Sequence, residues 1–188
     1  MGLYPVVIQT LAALALLGSA CALVLLVAQR SRSGRAGIAK AFEGRALQPV
    51  LGAWVVALVA MSGSLYLSEI VGFPPCVLCW YQRIAMYPLV FVLGAALLTK
   101  EPGVWRLALP LPLIGFVISA YHVLLQHRPS LDIVACDPNT PCTVRYVAVF
   151  GFVSIPVLAA AAFFMITALL LTVRVLRRAP APAEQPHS

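Results

Sequence analysis

The chain has 188 residues, of which 62% are hydrophobic and 10% charged, with a mean hydropathy of +0.96 and a net charge of +7. Soluble domains carry about 45–50% apolar residues, and a water-soluble fold of this length has nowhere to hide the excess. Composition therefore makes the lipid bilayer the solvent. The basic residues sit mostly in short connections, the loop bias of a membrane protein, so no nucleic-acid partner is expected.

The first apolar run, residues 6–28, lacks a basic leader and exceeds the roughly 7–15 apolar residues of a signal peptide, so it reads as a retained spanning helix. Cys21 within it reads as a small hydrophobe packed inside that helix, because the run stays apolar to Ala28 where a lipoprotein would turn polar. A basic loop with Arg30, Arg32, Arg35, Lys40 and Arg45 follows, then a second run over residues 49–71. Further runs cover residues 81–99, 107–125 and 147–173. Each exceeds the roughly 17 residues needed to span, and backbone groups in hydrocarbon must bond internally, so all five are predicted helices. Pro88, Pro110, Pro112 and Pro156 fall inside the runs and predict kinks. The fold class is an all-α integral membrane protein.

Lys100 and Arg106 separate the third and fourth runs, and Arg174, Arg177 and Arg178 follow the fifth. The positive-inside rule makes these segments and the first basic loop cytoplasmic. The N-terminus and residues 72–80 and 126–146 must then face outward, although Arg128 and Arg145 run against the bias. Residues 175–188, with their Pro- and Ala-rich end 179–188, read as a disordered cytoplasmic tail.

Every cysteine except Cys21 lies in or beside an outward segment. Pro74-Pro75-Cys76-Val77-Leu78-Cys79 leads into the third run, and two prolines favour a position at or before a first helical turn. Cys79 then lies near a helix N-terminus, whose partial positive charge favours the thiolate that attacks or leaves in disulfide exchange. Arg83, four residues on, shares its helix face. It either supports that thiolate, holds an anionic or carbonyl-bearing partner, or anchors the helix to lipid phosphates. The Cys-X-X-Cys spacing fits a redox pair, a fixed disulfide or half of a zinc site completed by Cys136 and Cys142. Cys136-Asp137-Pro138-Asn139-Thr140-Pro141-Cys142 is turn-rich and easily closed by a disulfide, either a relay bridge open to a protein thiol or a structural staple. Two pairs suggest a chain of exchange, and the chain carries neither a dinucleotide glycine motif nor a C-x-x-C-H haem motif. A diffusible membrane molecule is therefore the expected electron acceptor.

Residues Phe73 to Arg83, Tyr121-His122, Cys136 to Thr143 and Gly151-Phe152-Val153-Ser154-Ile155-Pro156 together resemble the disulfide-bond-formation protein B (DsbB) family, in its short-loop form, over about residues 49–174. The resemblance implies a four-helix transmembrane bundle, here with one additional N-terminal helix in residues 1–48. It implies a membrane thiol oxidase that reoxidises a DsbA-like, thioredoxin-fold partner and passes electrons to ubiquinone or menaquinone, in the bacterial inner membrane. On that resemblance Cys76 and Cys79 form the quinone-proximal pair, Cys79 contacts the quinone, Arg83 supports its binding, and Cys136 of the Cys136/Cys142 pair takes the mixed disulfide with the partner. No metal is expected. The first helix lies outside the family core, and the loop cysteines are closer together than in long-loop members.

Two other readings compete. A quinone reductase of the vitamin K epoxide reductase type shares the helical Cys-X-X-Cys but usually carries its loop pair earlier in the chain. A membrane scaffold with fixed disulfides or a bound metal would keep both bridges inert to mild reduction. His122, His127 and Glu69 lie at outer helix ends as proton-relay or interfacial groups and stand outside the predicted catalytic set.

Overall fold

Each of the five apolar runs long enough to cross hydrocarbon carries a long helix. The computed structural model describes residues 4–134 and 136–178; most of the predicted tail, 179–188, lies outside the described residues. Among the described residues, five long helices meet the length and apolarity for spanning. They are α1 (Tyr4–Ala28), α3 (Gln48–Leu65, prolonged by a π-helical turn, Tyr66–Ile70), α4 (Val77–Leu98), α6 (Pro110–His127) and α7 (Ile155–Arg178). Two short helices, α2 (Arg32–Ala41) and α5 (Trp105–Ala108), lie between spans. Residues 175–178, expected in the tail, continue α7 instead.

Two helices begin four or more residues from the start of their apolar runs. The third starts at Val77 rather than residue 81, because Cys76 in extended geometry (φ −74°, ψ 172°) serves as its N-cap immediately after the two prolines. The last starts at Ile155 rather than residue 147. Val149 and Val153 exchange N–H···O bonds of 3.0 and 2.9 Å across a tight turn, which bends through Phe150 (φ 52°) and Gly151 (φ 79°). Pro110 and Pro112 fall in the first turn of α6 and Pro156 in that of α7, where the missing N–H costs no helical bond. Of the four prolines expected to interrupt spans, Pro88 in α4 is the one in a helix interior.

Helices α3, α4, α6 and α7 close into a ring, with α3 on α4 and α7, α4 on α6, and α6 on α7, while α1 packs outside it on α7. Leu89, Leu93, Phe163, Ile166 and Leu170 fill the ring's centre, all fully buried. Lipid tails are as apolar as leucine, so close packing of small residues rather than dehydration holds such helices together. Ala12, Ala15 and Ala22 accordingly make up, with Ile8, the buried stripe of α1, and Gly18 lies against Met165 of α7. Cys21 faces outward from α1 and is exposed, which corrects its expected packing inside the protein.

Gly115 of α6 lies against the Phe163 ring, and a methyl group there would overlap the ring atoms. Phe163 has no room to yield, whereas the Met165 thioether beside Gly18 can swing aside. Gly115→Ala is expected to destabilise the bundle by about 1–3 kcal/mol, read as a lower melting temperature, with Gly18→Ala costing less.

The alternating spans bring the four cysteines of the two pairs to one end of the bundle and Arg30, Lys100, Arg174 and Arg178 to the other.

Candidate redox site

At the cysteine end, the π-helical turn closes with Val71 donating to the Tyr66 carbonyl at 3.0 Å. Gly72, at φ 82°, then reverses the chain so that the Phe73 N–H returns to the Leu67 carbonyl at 3.0 Å. Phe73 is held between Tyr146, stacked at 5.0 Å, and Tyr4 of α1, edge-on at 5.9 Å. Aromatic pairs add about 0.5–1.5 kcal/mol each beyond area burial. This clamp fixes the residues that lead into Pro74-Pro75-Cys76.

As N-cap, Cys76 accepts a hydrogen bond from the Cys79 N–H at 3.4 Å, and the two sulfurs stand 2.9 Å apart as free thiols. Cys76 lies just outside the spanning segment. Its thiol is pulled from the usual 9.0 to about 4, chiefly by a hydrogen bond from the Cys79 side-chain thiol, with burial opposing, His122 assisting and the Cys79 N–H adding least. At this helix end the thiolate is thus favoured at the capping sulfur, Cys76.

His122 of α6, 2% exposed, ties the two cysteine pairs together. Its Nε2 is 3.0 Å from the Cys142 carbonyl and 3.8 Å from Cys76 Sγ, and its Nδ1 is 3.1 Å from Gln82 Nε2. The carbonyl can only accept, so Nε2 carries the proton and Nδ1 accepts from the Gln82 amide. Cys142 is bonded to Cys136 and buried at 1% exposure, whereas Cys136 is half-buried in the loop between α6 and α7. Cys76, Cys142, Leu78 and Leu125 form one buried cluster, with Cys79 and Cys136 packed against it.

Arg83 is 8% exposed, too enclosed to reach lipid phosphates. Its Nε donates to Ser64 Oγ at 3.0 Å and its Nη2 to the Ser64 carbonyl at 3.1 Å, while the guanidinium lies 5.1 Å over the Trp80 ring. Tyr87 donates to the same Ser64 hydroxyl at 3.4 Å. These contacts leave other guanidinium donors, of the five it carries, bordering a cavity of about 360 Å³ that Cys79 and Gln82 also line. Leu11, Leu14 and Ala15 of α1 form part of its wall. An apolar chamber with one cation and one thiol suits a flat, carbonyl-bearing molecule with a hydrocarbon tail.

All five predicted site residues therefore gather at one end, Cys79 and Arg83 on the cavity and Cys136 and Cys142 above it. Joining Cys136 to Cys142 leaves the four-cysteine zinc set unassembled, although Cys76, Cys79 and His122 bring ligand atoms within 4.8 Å. Sequence reasoning left His122, Gln82 and Ser64 out of the site. The available signal was a polar residue in an apolar helix, which His122 and Ser64 share with His127 and Glu69, both exposed and outside the cluster.

The family model for the disulfide bond formation protein DsbB matches residues 48–173. The chain belongs to the DsbB family. Disulfide bond formation protein C of Bacillus subtilis (strain 168) is 51% identical over 114 residues, covering 60% of this chain and 83% of that one. A "Probable disulfide formation protein C" of Halalkalibacterium halodurans is 48% identical over 118 residues, 62% of this chain and 86% of the relative. A "Probable disulfide formation protein" of Oceanobacillus iheyensis is 45% identical over 122 residues, 64% and 84% of the two chains. No solved structure matches. This DsbB-family chain is thus a multi-pass membrane protein of disulfide formation, a disulfide oxidoreductase by family.

Proposed function

We propose that this DsbB-family protein is a quinone-dependent thiol oxidase that reoxidises a DsbA-like, thioredoxin-fold partner in the bacterial cytoplasmic membrane, with its cysteine end outside. The observation that carries this reading is the shared cavity of Cys79 and Arg83, connected through Cys76 and His122 to the loop disulfide.

The partner's thiolate attacks Cys136, the more accessible loop sulfur, and breaks its bond to Cys142; the partner's second thiol then attacks the partner's own sulfur in this mixed disulfide, which releases the oxidised partner and frees Cys136 as a thiolate. The freed Cys142 thiolate attacks Cys76 of an oxidised Cys76–Cys79 bridge, and Cys79 departs as the thiolate on the cavity side. Cys136 resolves the Cys142–Cys76 bond, which restores the loop bridge and leaves Cys76 and Cys79 reduced, the pairing seen here. A quinone held beside Arg83 and Cys79 would supply the sink for the two electrons and two protons given up as the Cys76–Cys79 bond re-forms. Arg83 orients and polarises a carbonyl oxygen, α1 and α3 exclude water, and His122 Nε2 holds or passes the proton at Cys76.

Hydrogen bonds from charged donors are worth about 1.5–3 kcal/mol, so Arg83→Ala is expected to raise the quinone KM about ten- to a hundredfold. Steady-state oxidation of a reduced thioredoxin-fold protein, titrated with quinone, measures this. An unchanged quinone KM removes Arg83 from the acceptor site, and partner oxidation that proceeds equally well without quinone overturns the function.

A further inference from the structure

At the opposite end of the bundle, α1, α2 and α7 enclose a second cavity, of about 900 Å³. Arg30, Arg35, Arg174 and Arg178 line it over an apolar floor that includes Leu26 and Leu171, and among the described residues no acidic side chain lines it. Among the described residues the one ion pair, Arg177 to Glu101 at 3.1 Å, takes up an arginine outside the cavity and none within it. Arginines that merely set topology gain nothing by converging on one concavity, where they repel one another.

The walls are fixed by specific contacts. Gln29 at the end of α1 donates to Thr172 Oγ1 of α7 at 2.9 Å, and the Ser31 hydroxyl caps α2 by accepting from the Gly34 N–H at 2.9 Å. Trp105, with the Arg106 and Arg174 guanidinium groups 5.6 and 5.8 Å from its ring, marks this depth as the membrane–water interface. All four arginines lie outside residues 48–173, the segment shared with the family.

We propose that this cavity binds the phosphodiester headgroup of an anionic phospholipid, with phosphatidylglycerol as the probe. The arginines take the phosphate oxygens and the apolar floor takes the upper acyl chain, a combination that a soluble anion would fill only in part. The lipid then stitches α1 and α2 to the end of α7.

Native mass spectrometry of the full chain in detergent, with phosphatidylglycerol or phosphatidylcholine of identical acyl chains, tests this. Wild type is expected to retain phosphatidylglycerol in clear preference. Arg35→Gln with Arg178→Gln should weaken that binding about thirtyfold, about 1 kcal/mol for each arginine. Lysine at both positions should preserve most of it, and Lys40→Gln with Arg45→Gln, which removes two charges outside the cavity, should leave it intact. Equal retention of the two lipids by wild type overturns the proposal without recourse to any variant. So does an equal loss in the Lys40/Arg45 control, or displacement of the lipid by inorganic phosphate at equal concentration.

Discussion

Cys79→Ser is expected to abolish sustained oxidation of a reduced thioredoxin-fold protein while sparing a single round. Cys79 is the cysteine on the 360 Å³ cavity, and a hydroxyl can neither close a bridge to Cys76 nor leave as a stable anion. The loop disulfide between Cys136 and Cys142 is untouched by the change, so one partner molecule per protein can still be oxidised. Rapid mixing should show a burst of one equivalent followed by a steady rate at least about a thousandfold below wild type, the scale of loss when an obligatory covalent residue is removed. Continued turnover at the wild-type rate would mean that electrons leave the loop pair by a route that bypasses the helix-end cysteines.

His122 carries the second large effect. Its ring joins Gln82, Cys76 and the Cys142 carbonyl, so His122→Ala leaves a buried amide and a buried carbonyl without partners, at about 1–3 kcal/mol each. That variant alone confounds folding with chemistry. His122→Gln keeps a donor in the same space and should melt within a few degrees of wild type, yet it cannot shuttle a proton as imidazole does. Oxidation of the reduced Cys76/Cys79 pair by quinone should fall about a hundredfold or more, with a changed solvent deuterium isotope effect. A His122→Gln variant that runs at the wild-type rate with an unchanged isotope effect makes the imidazole a packing element.

The spans and the Cys-X-X-Cys motif were legible because each is written in adjacent residues: apolar runs long enough to cross a bilayer, and two prolines that favour a helix N-terminus just beyond them. Apolarity could not separate the Val149–Val153 turn from the helix after it, since both are hydrophobic and only the backbone at Phe150 and Gly151 distinguishes them. The short helix Arg32–Ala41 was hidden within a basic loop, although Ser31 supplies its cap. What remained unreadable depends on distant pairing. His122 meets Gln82 and Cys142 from 40 and 20 residues away, and Ser64 meets Arg83 across 19. The π-helical turn that follows Ser64 leaves no periodicity to find. The first helix, outside the family core, contributes Leu11, Leu14 and Ala15 to the wall of the cavity that Cys79 and Arg83 line, a placement that no local pattern announces.

The central claim is that electrons pass from the loop pair through the helix-end pair to a membrane quinone. Anaerobic mixing of the purified full chain with ubiquinone or menaquinone and an excess of reduced thioredoxin-fold protein tests it most directly, with quinol followed by absorbance and partner disulfides counted by thiol labelling. The account predicts one quinol per partner disulfide over many turnovers, with no quinol formed by Cys79→Ser. Partner disulfides that accumulate without quinol, or quinol that forms while the partner stays reduced, would contradict it.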